Sequence, residues 1–206
     1  METFNRKQHW ENIYQQKQLT EVSWYQQVPE TSLNYIHQFQ IPHNAQIMDM
    51  GGGDSFLADC LLSEGYQNIS VADISVSALE RAKQRLGNNA GSITWIEADA
   101  GYFVSPKIYD FWHDRAAFHF LTTDQEVTHY VENLKKCIAP KGIVVMGTFS
   151  VNGPKKCSGI EIRQYSEECM AKLFCPDFEL ICCEYPDHHT PFDTIQNFIF
   201  CCFRKK

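Results

Sequence analysis

Residues 47–55 read Ile-Met-Asp-Met-Gly-Gly-Gly-Asp-Ser, a short apolar strand that ends in an acid and a run of glycines. The apolar segment that follows, Phe56–Leu62, is predicted to form a helix. Because glycine has no Cβ and adopts positive φ readily, a turn through Gly51 and Gly53 lets the backbone approach a bound molecule closely. A strand, a glycine turn and a helix form the nucleotide-binding crossover of doubly wound sheets. The stretch therefore predicts an α/β fold with a ligand site at the turn.

The spacing of the glycines distinguishes between nucleotide ligands. The dinucleotide fingerprint Gly-x-Gly-x-x-Gly requires a third glycine at position 56, where this chain has Phe56. Asp49 precedes Gly51 by two residues and favours a smaller, cationic nucleoside. The sequence therefore disfavours an NAD-dependent dehydrogenase.

Two further predicted strands also end in acids. The β-rich run Asn68–Asp73 places a carboxylate about 20 residues after the turn, where it can accept hydrogen bonds from both hydroxyls of a ribose. The run Ser92–Asp99 is followed by Ala100. A carboxylate there can accept from an adenine amine while the next backbone N–H reads a ring nitrogen. Three strand ends therefore predict one nucleoside site.

Three motifs, Asp-x-Gly-x-Gly at 49–53, Val-Ala-Asp-Ile-Ser at 71–75 and Glu-Ala-Asp-Ala at 97–100, resemble the class I S-adenosylmethionine-dependent methyltransferases in order and spacing. The resemblance covers residues 10–203. It implies a doubly wound, Rossmann-like sheet of seven strands, mostly parallel with an antiparallel C-terminal strand inserted into the sheet, and helices on both faces. It also implies S-adenosyl-L-methionine as the cofactor, bound by Trp24, Asp49, Gly51, Gly53, Asp73, Ile74, Asp99, Ala100 and Asp114.

Composition predicts a single domain over residues 1–206. A chain of 206 residues buries about 70% of its unfolded surface, and no apolar run approaches the roughly 18 residues of a membrane span. The N-terminal segment lacks the apolar core of a signal peptide. The formal net charge of −7 argues against a nucleic-acid partner. We therefore expect no nucleic-acid or membrane partner, and a monomer or weak dimer.

The nine cysteines include two adjacent pairs, Cys182-Cys183 and Cys201-Cys202. Neighbours on a strand point to opposite faces, so these pairs indicate strand packing rather than disulfides. The sequence contains no Cys-x-x-Cys, and we expect no metal site. This cysteine usage favours a reducing, cytoplasmic location.

Residues 1–45 are predicted to form an N-terminal helical lid over a cofactor-binding core at 46–206. Trp10, Ile13 and Tyr14 have helical spacing, and Pro29 is suited to open a second helix. From residue 46 onward strand and helix patterns alternate, as a parallel sheet requires.

The predicted fourth strand and its following loop, Tyr109–Leu121, contain the candidate catalytic residues His113, Asp114 and His119. An acid at 114 suits a cationic methyl donor, and His119 can serve as a base or a substrate contact. Structural alternatives remain open for each of them. His119 stands between two phenylalanines, which is equally typical of a buried structural histidine, and Asp114 can form a salt bridge with Arg115.

Four further segments are similar to bacterial relatives of the citrate synthase lysine methyltransferase and of elongation-factor lysine methyltransferases. They are His9–Tyr14, Ser23–Tyr25, Pro29–Leu33 and His119–Thr122. The resemblance implies that Trp24 closes over the methionine part of the cofactor. It favours a protein lysine as acceptor, with a small-molecule nucleophile as the other possibility. A catalytically silent S-adenosylmethionine-binding or scaffold protein is the competing hypothesis.

Overall fold

The computed structural model describes residues 4–206. Its helices are α1 (Arg6–Gln16), α2 (Glu30–Gln38), α3 (Leu57–Ser63), α4 (Val76–Leu86), α5 (Asp124–Cys137) and α6 (Glu167–Phe174). Its strands are β1 (Gln46–Met50), β2 (Asn68–Asp73), β3 (Ile93–Glu97), β4 (Tyr109–Arg115), β5 (Ile138–Phe149), β6 (Lys156–Cys157), β7 (Ile160–Glu161), β8 (Phe178–Glu184), β9 (Asp187–His189) and β10 (Ile195–Lys205). Residues 1–3 of the predicted lid lie outside the described residues.

Seven strands form the main sheet in the order β3-β2-β1-β4-β5-β10-β8, and β9 pairs with the start of β10. The pairs among β1 to β5 are parallel, whereas β10 runs antiparallel to both β5 and β8. This confirms the predicted mostly parallel sheet with its last strand inserted. From β1 the chain winds outward through β2 to β3, and it then returns to the other side of β1 as β4. The ligand crevice of such a sheet lies at this reversal, outside the carboxyl ends of β1 and β4.

The two faces of the sheet carry separate apolar cores because side chains alternate along a strand. Ile47 and Phe111 face the side covered by α1 to α4. Met48 and Trp112 face the side covered by α5 and α6. The alternation extends through the carboxyl ends of these strands and decides which polar residues can reach the crevice.

Residues Pro140–Gly142 belong to a bulge in β5 and not to the end of a helix. Helix α5 already ends at Cys137, and β5 then pairs with β4. Tyr109 is opposite Ile138, but Phe111 is opposite Ile143, so residues 139–142 bulge from the ladder. Proline cannot donate to the ladder, which explains why the bulge contains Pro140.

Antiparallel pairing of β8 with β10 places Cys183 opposite Cys201 and Cys182 opposite Cys202. Cys183 and Cys201 form a disulfide, while Cys182 and Cys202 are free thiols. The prediction that these cysteines only pack was therefore wrong for one cross-strand pair. Neighbouring cysteines do face opposite sides, as expected, but the sequence did not reveal the register that aligns each with a cysteine of the other strand.

In the part of the chain that the structure describes, no helix is long and apolar enough to span a bilayer.

Candidate active site

A cavity of about 1210 Å³, including its open mouth, lies at the carboxyl ends of β1, β2 and β4. The predicted ligand residues that line it are Trp24, Asp49, Gly51, Asp73, Ile74, Asp99, Ala100 and His113. Gly53, Asp114 and His119 are not among its lining residues. The structure thus brings most of the predicted nucleoside residues to one site.

The glycine turn after β1 adopts left-handed backbone conformations, with φ of +71° at Gly51 and +48° at Gly53. A Cβ at Gly51 would lie 2.3 Å from the Cβ of Ala117, and one at Gly53 would lie 2.9 Å from the Tyr14 hydroxyl. Glycine is therefore required by the backbone and by protein neighbours, in addition to any close approach of a ligand.

Asp73 is the last residue of β2. One of its carboxylate oxygens is hydrogen-bonded to the backbone, and the other points to the glycine turn. Oδ1 accepts from the backbone N of Ser75 at 2.8 Å. Oδ2 lies 3.0 Å from the position that a Cβ on Gly53 would take. Burial raises the pKa of Asp73 to about 7, and the nearby carboxylates of Asp54 and Asp49 add to the rise. A ligand that donates hydrogen bonds to this group stabilises its ionised form.

Asp99 follows β3 and is held by Arg6, a residue that the motif analysis did not single out. Arg6 Nη1 lies 2.9 Å from Oδ1 and 3.2 Å from Oδ2 of Asp99, and Arg6 Nη2 donates to Glu126. The backbone N of Gly101 also donates to Asp99. Arg6 thereby ties α1 to the site and to α5. No short sequence motif could have predicted this contact, because Arg6 is far along the chain from both of its partners.

The N-terminal segment forms one wall of the cavity. Trp10 is buried, with its ring 4.9 Å from that of Phe120 and 5.7 Å from that of Trp24. The Glu11 carboxylate accepts hydrogen bonds from the first backbone N–H groups of α4. The N-terminus of a helix stabilises a negative charge in this position. These contacts place α1 and Trp24 against the crevice of the sheet.

His113 lies on the same face of the sheet as Asp49, on the neighbouring strand. Its Nδ1 is 2.8 Å from Asp49 Oδ1, and its Nε2 is 2.8 Å from Ser32 Oγ. Both ring nitrogens are therefore engaged by protein groups. The side chain fixes the orientation of the Asp49 carboxylate and joins α2 to the site.

Asp114 points to the opposite face and is fully buried. Its Oδ1 accepts from the backbone N of Ala117 (3.1 Å) and of Phe118 (3.0 Å), and its Oδ2 accepts from the Tyr130 hydroxyl at 2.6 Å. Burial raises its pKa to about 6 despite these bonds. Adjacent residues of a strand face opposite sides of the sheet, so Asp114 points away from the cavity and does not make the predicted contact with cofactor or acceptor. For the same reason it does not pair with Arg115.

His119 is fully buried between the rings of Phe120 and Phe149, with centroids 4.5 Å and 4.7 Å away. Its Nδ1 accepts from the backbone N of Phe149 at 3.3 Å. Burial, together with the charge of Arg115, lowers its pKa to about 3, so the ring is neutral. It does not reach the cavity surface, and the structural alternative accounts for its position.

The other half of the cavity is built by residues that the sequence analysis did not select as candidates. Arg115, Phe149, Cys157, Gln196 and Phe198 line it, and we call this part the acceptor half. They come from β4, β5, β6 and β10, so only the tertiary structure brings them together. Among residues 4–206 no group of three or more His, Cys, Asp or Glu side chains is arranged to hold a metal ion.

The doubly wound sheet, with a cavity at its switch point, is an α/β fold of the nucleotide-binding type. The family described as "Methyltransferase domain" matches residues 47–142, the part that contains the glycine turn and all three acidic strand ends. Over these residues, which are just under half of the chain, the protein is therefore similar to a methyltransferase domain.

Relatives and solved structures agree with this assignment. The chain is 26% identical over 124 residues to the eEF1A lysine and N-terminal methyltransferase of Mus musculus, covering 60% of this chain and 18% of that protein. It is 31% identical over 113 residues to a malonyl-[acyl-carrier protein] O-methyltransferase of Anoxybacillus flavithermus, covering 53% of this chain and 41% of that protein. These matches span less than half the length of either relative.

The fold is also that of a solved N-methyltransferase, NodS from Bradyrhizobium japonicum, whose structure contains S-adenosyl-L-homocysteine. The TM-score is 0.72 at 14% identity, over 98% of this chain and 99% of that chain. S-adenosylmethionine is the cofactor of this class. The site fits it, because buried carboxylates surround a glycine turn that admits no side chain and suit a cationic nucleoside.

Proposed function

We propose that this protein transfers the methyl group of S-adenosylmethionine to a nucleophile held in the acceptor half of the cavity. The observation that carries the proposal is one continuous cavity with two chemically different halves. Acids at the ends of β1 and β2 line one half, and aromatic rings with Arg115 line the other. Such a division suits a cationic donor on one side and an acceptor on the other.

In this proposal each strand end binds one part of the cofactor. Asp73 accepts hydrogen bonds from the ribose hydroxyls, and Asp99 with the backbone N–H of Ala100 binds the adenine. Asp49 and Trp24 lie beside the methionine part. Asp49 is kept in place by His113, so its orientation does not depend on the ligand.

Methyl transfer from a sulfonium requires the acceptor about 3 Å from the methyl group, in line with the breaking bond and shielded from water. The rings of Trp10, Trp24 and Phe120 exclude water on the side of the N-terminal segment. Both ring nitrogens of His113 are hydrogen-bonded to protein groups, and His119 lies below the cavity surface. We therefore propose that positioning of the acceptor against the methyl group, rather than a histidine base, supplies most of the rate acceleration.

A small-molecule nucleophile is the acceptor that the geometry favours, because the acceptor half is aromatic and contains a buried guanidinium. A protein lysine is the second candidate. The name of the mouse relative, a lysine and N-terminal methyltransferase, supports it, and so do the aromatic walls, which suit a lysine through cation–π contact. A silent cofactor-binding protein is the third reading.

We also propose a cytoplasmic location, and a monomer or weak dimer without nucleic-acid partners. Seven cysteines are free thiols, which suits a reducing compartment. Thiol labelling of protein extracted under acidic quench tests this location. The Cys183–Cys201 disulfide of the structure runs against this location. In a reducing compartment both cysteines are expected to be labelled as free thiols, and their protection would argue for an oxidising one.

Two experiments test the activity. Calorimetric titration with S-adenosylhomocysteine and with NADH is expected to show binding of the first alone. Incubation with radiolabelled S-adenosylmethionine and cell extract, followed by separation into protein, nucleic-acid and small-molecule fractions, is expected to place label among small molecules. Binding of S-adenosylhomocysteine without label in any fraction would favour the silent binding protein.

A further inference from the structure

Arg115 lines the acceptor half of the cavity, and its guanidinium has a hydrogen-bond donor that no protein group uses. Its Nη1 donates to the carbonyl oxygen of Trp24 at 3.3 Å. Its Nη2 is shielded from solvent and has no hydrogen-bond partner among residues 4–206. Within the same residues no carboxylate oxygen lies within 4.0 Å of the guanidinium. The protein thus keeps a positive charge in its cavity wall without an anion of its own.

A charge that is largely shielded from solvent and has no anionic partner is costly, so its presence calls for an explanation. Burial lowers the pKa of Arg115 to about 10, which still leaves the group charged at neutral pH. Asp49 is the carboxylate whose charge acts on Arg115, and that carboxylate is already engaged by His113.

The other groups that face Arg115 are neutral. Burial lowers the pKa of His119 to about 3 and that of His188 to about 4, and it raises the pKa of the Cys157 thiol. The guanidinium lies 5.0 Å from the ring centroid of Phe198, and Phe149 forms a further apolar wall. The surroundings are therefore apolar, with one free cationic donor.

We infer that Arg115 binds the carboxylate of the methyl acceptor, which makes the acceptor a small molecule with a carboxylate beside an apolar body. This inference rests on the proposed function. A guanidinium pairs with a carboxylate through two parallel hydrogen bonds, and the rings of Phe149 and Phe198 cover the apolar part. The ammonium of a lysine would instead be repelled here.

The carboxylate of the cofactor's own methionine part offers the same chemistry, and a first titration separates the two sources. The ligands are S-adenosylhomocysteine and 5′-methylthioadenosine, which keeps the nucleoside but lacks the carboxylate. We expect Arg115→Met to bind both as tightly as the wild type does. A roughly 10- to 100-fold loss for S-adenosylhomocysteine alone would assign the carboxylate site to the cofactor and overturn the inference about the acceptor.

A second titration tests the acceptor directly, with benzoate and its uncharged analogue benzamide as probes for protein saturated with S-adenosylhomocysteine. The wild type is expected to prefer benzoate by about 10-fold or more, and Arg115→Met to lose that preference. Arg163→Met is the matched control, because Arg163 also lies over an aromatic ring but outside the cavity. It should keep the preference, and Arg115→Lys should restore part of it.

The proposal is overturned if Arg115→Met changes neither the ratio of the two nucleoside affinities nor the preference for benzoate. It is equally overturned if the wild type shows no preference for benzoate and Arg115→Met leaves both nucleoside affinities unchanged. Failure of the wild type to bind S-adenosylhomocysteine would instead overturn the proposed function. The benzoate titration is therefore repeated on protein without nucleoside, where it reports on Arg115 alone.

Discussion

His113 Nδ1 and Asp49 Oδ1 lie 2.8 Å apart across two neighbouring strands, at the point where the order of the sheet reverses. Both side chains are buried, and the second ring nitrogen of His113 is bound by Ser32. A chain of polar contacts thus runs from α2 through β4 to the carboxylate beside the glycine turn. It presents Asp49 to the cavity in a fixed orientation.

Replacing His113 by Phe should therefore lower stability as well as activity. The substitution leaves the buried carboxylate of Asp49 without its partner, which costs about 1–3 kcal/mol or more. Ser32→Ala removes only the outer bond and should cost about 0.5–1.5 kcal/mol. Urea unfolding of the two variants measures the difference. A fully stable His113→Phe protein that binds S-adenosylhomocysteine normally but has lost turnover would instead identify His113 as a catalytic base.

Gly51→Ala should destabilise the protein more than the same change at another left-handed glycine. Both Gly51 and Gly159 have positive φ, which costs an alanine about 1–2 kcal/mol. A Cβ at Gly51 also meets Ala117, whereas one at Gly159 meets no atom within 4 Å. Thermal unfolding of the two variants isolates the steric part. Adding Ala117→Gly should restore part of the loss in Gly51→Ala, and the absence of any such rescue would refute the contact.

The affinity for S-adenosylhomocysteine should rise with pH and level off above about pH 7. Ribose hydroxyls donate to an ionised carboxylate, and the pKa of Asp73 in the free protein is raised to about 7 by burial. Binding therefore has to displace a proton below that pH, which weakens affinity about 10-fold between pH 8 and pH 6. Calorimetry over this range measures the effect. Asp73→Asn should bind more weakly at pH 8 and show a flatter profile, and an equally steep profile would remove Asp73 from the site.

Arg6→Ala should loosen the N-terminal segment far more than Lys7→Ala. Arg6 is largely buried between Asp99 and Glu126, whereas the ion pair of Lys7 with Glu97 is exposed to solvent and screened. Hydrogen exchange in α1 and proteolysis before Pro29 measure the opening. We expect S-adenosylhomocysteine to slow cleavage in the wild type. Equal cleavage with and without ligand would count against a lid.

Asp114→Asn should lose stability rather than turnover alone. The Tyr130 hydroxyl accepts from Trp112 Nε1 and donates to Asp114, so an amide NH2 in place of the acceptor oxygen faces another donor. We expect a loss of about 1–3 kcal/mol in unfolding free energy. Tyr130→Phe combined with Asp114→Asn should cost less than the sum of the two. Reduced turnover at unchanged stability would return Asp114 to the catalytic residues.

Local pattern was enough to predict the order of the elements and one half of the site. The predicted runs that lead to Asp49, Asp73 and Asp99 form β1, β2 and β3, with Asp99 just after the end of β3. All three acids line the cavity. This part was predictable because parallel strands bring their carboxyl ends to one edge of a sheet. Positions at the end of a strand are therefore close in space even when they are distant along the chain.

The sequence by itself thus determined the fold and the place of the candidate nucleoside site. Tertiary structure alone decided which face each residue of β4 presents, and so it turned Asp114 away from the cavity and Arg115 toward it. It also decided the register that joins Cys183 to Cys201 and the contact of Arg6 with Asp99. The physical reason is that adjacent side chains of a strand point to opposite faces of the sheet. Which set of side chains points to which face is fixed only when the neighbouring strands and the covering helices are in place.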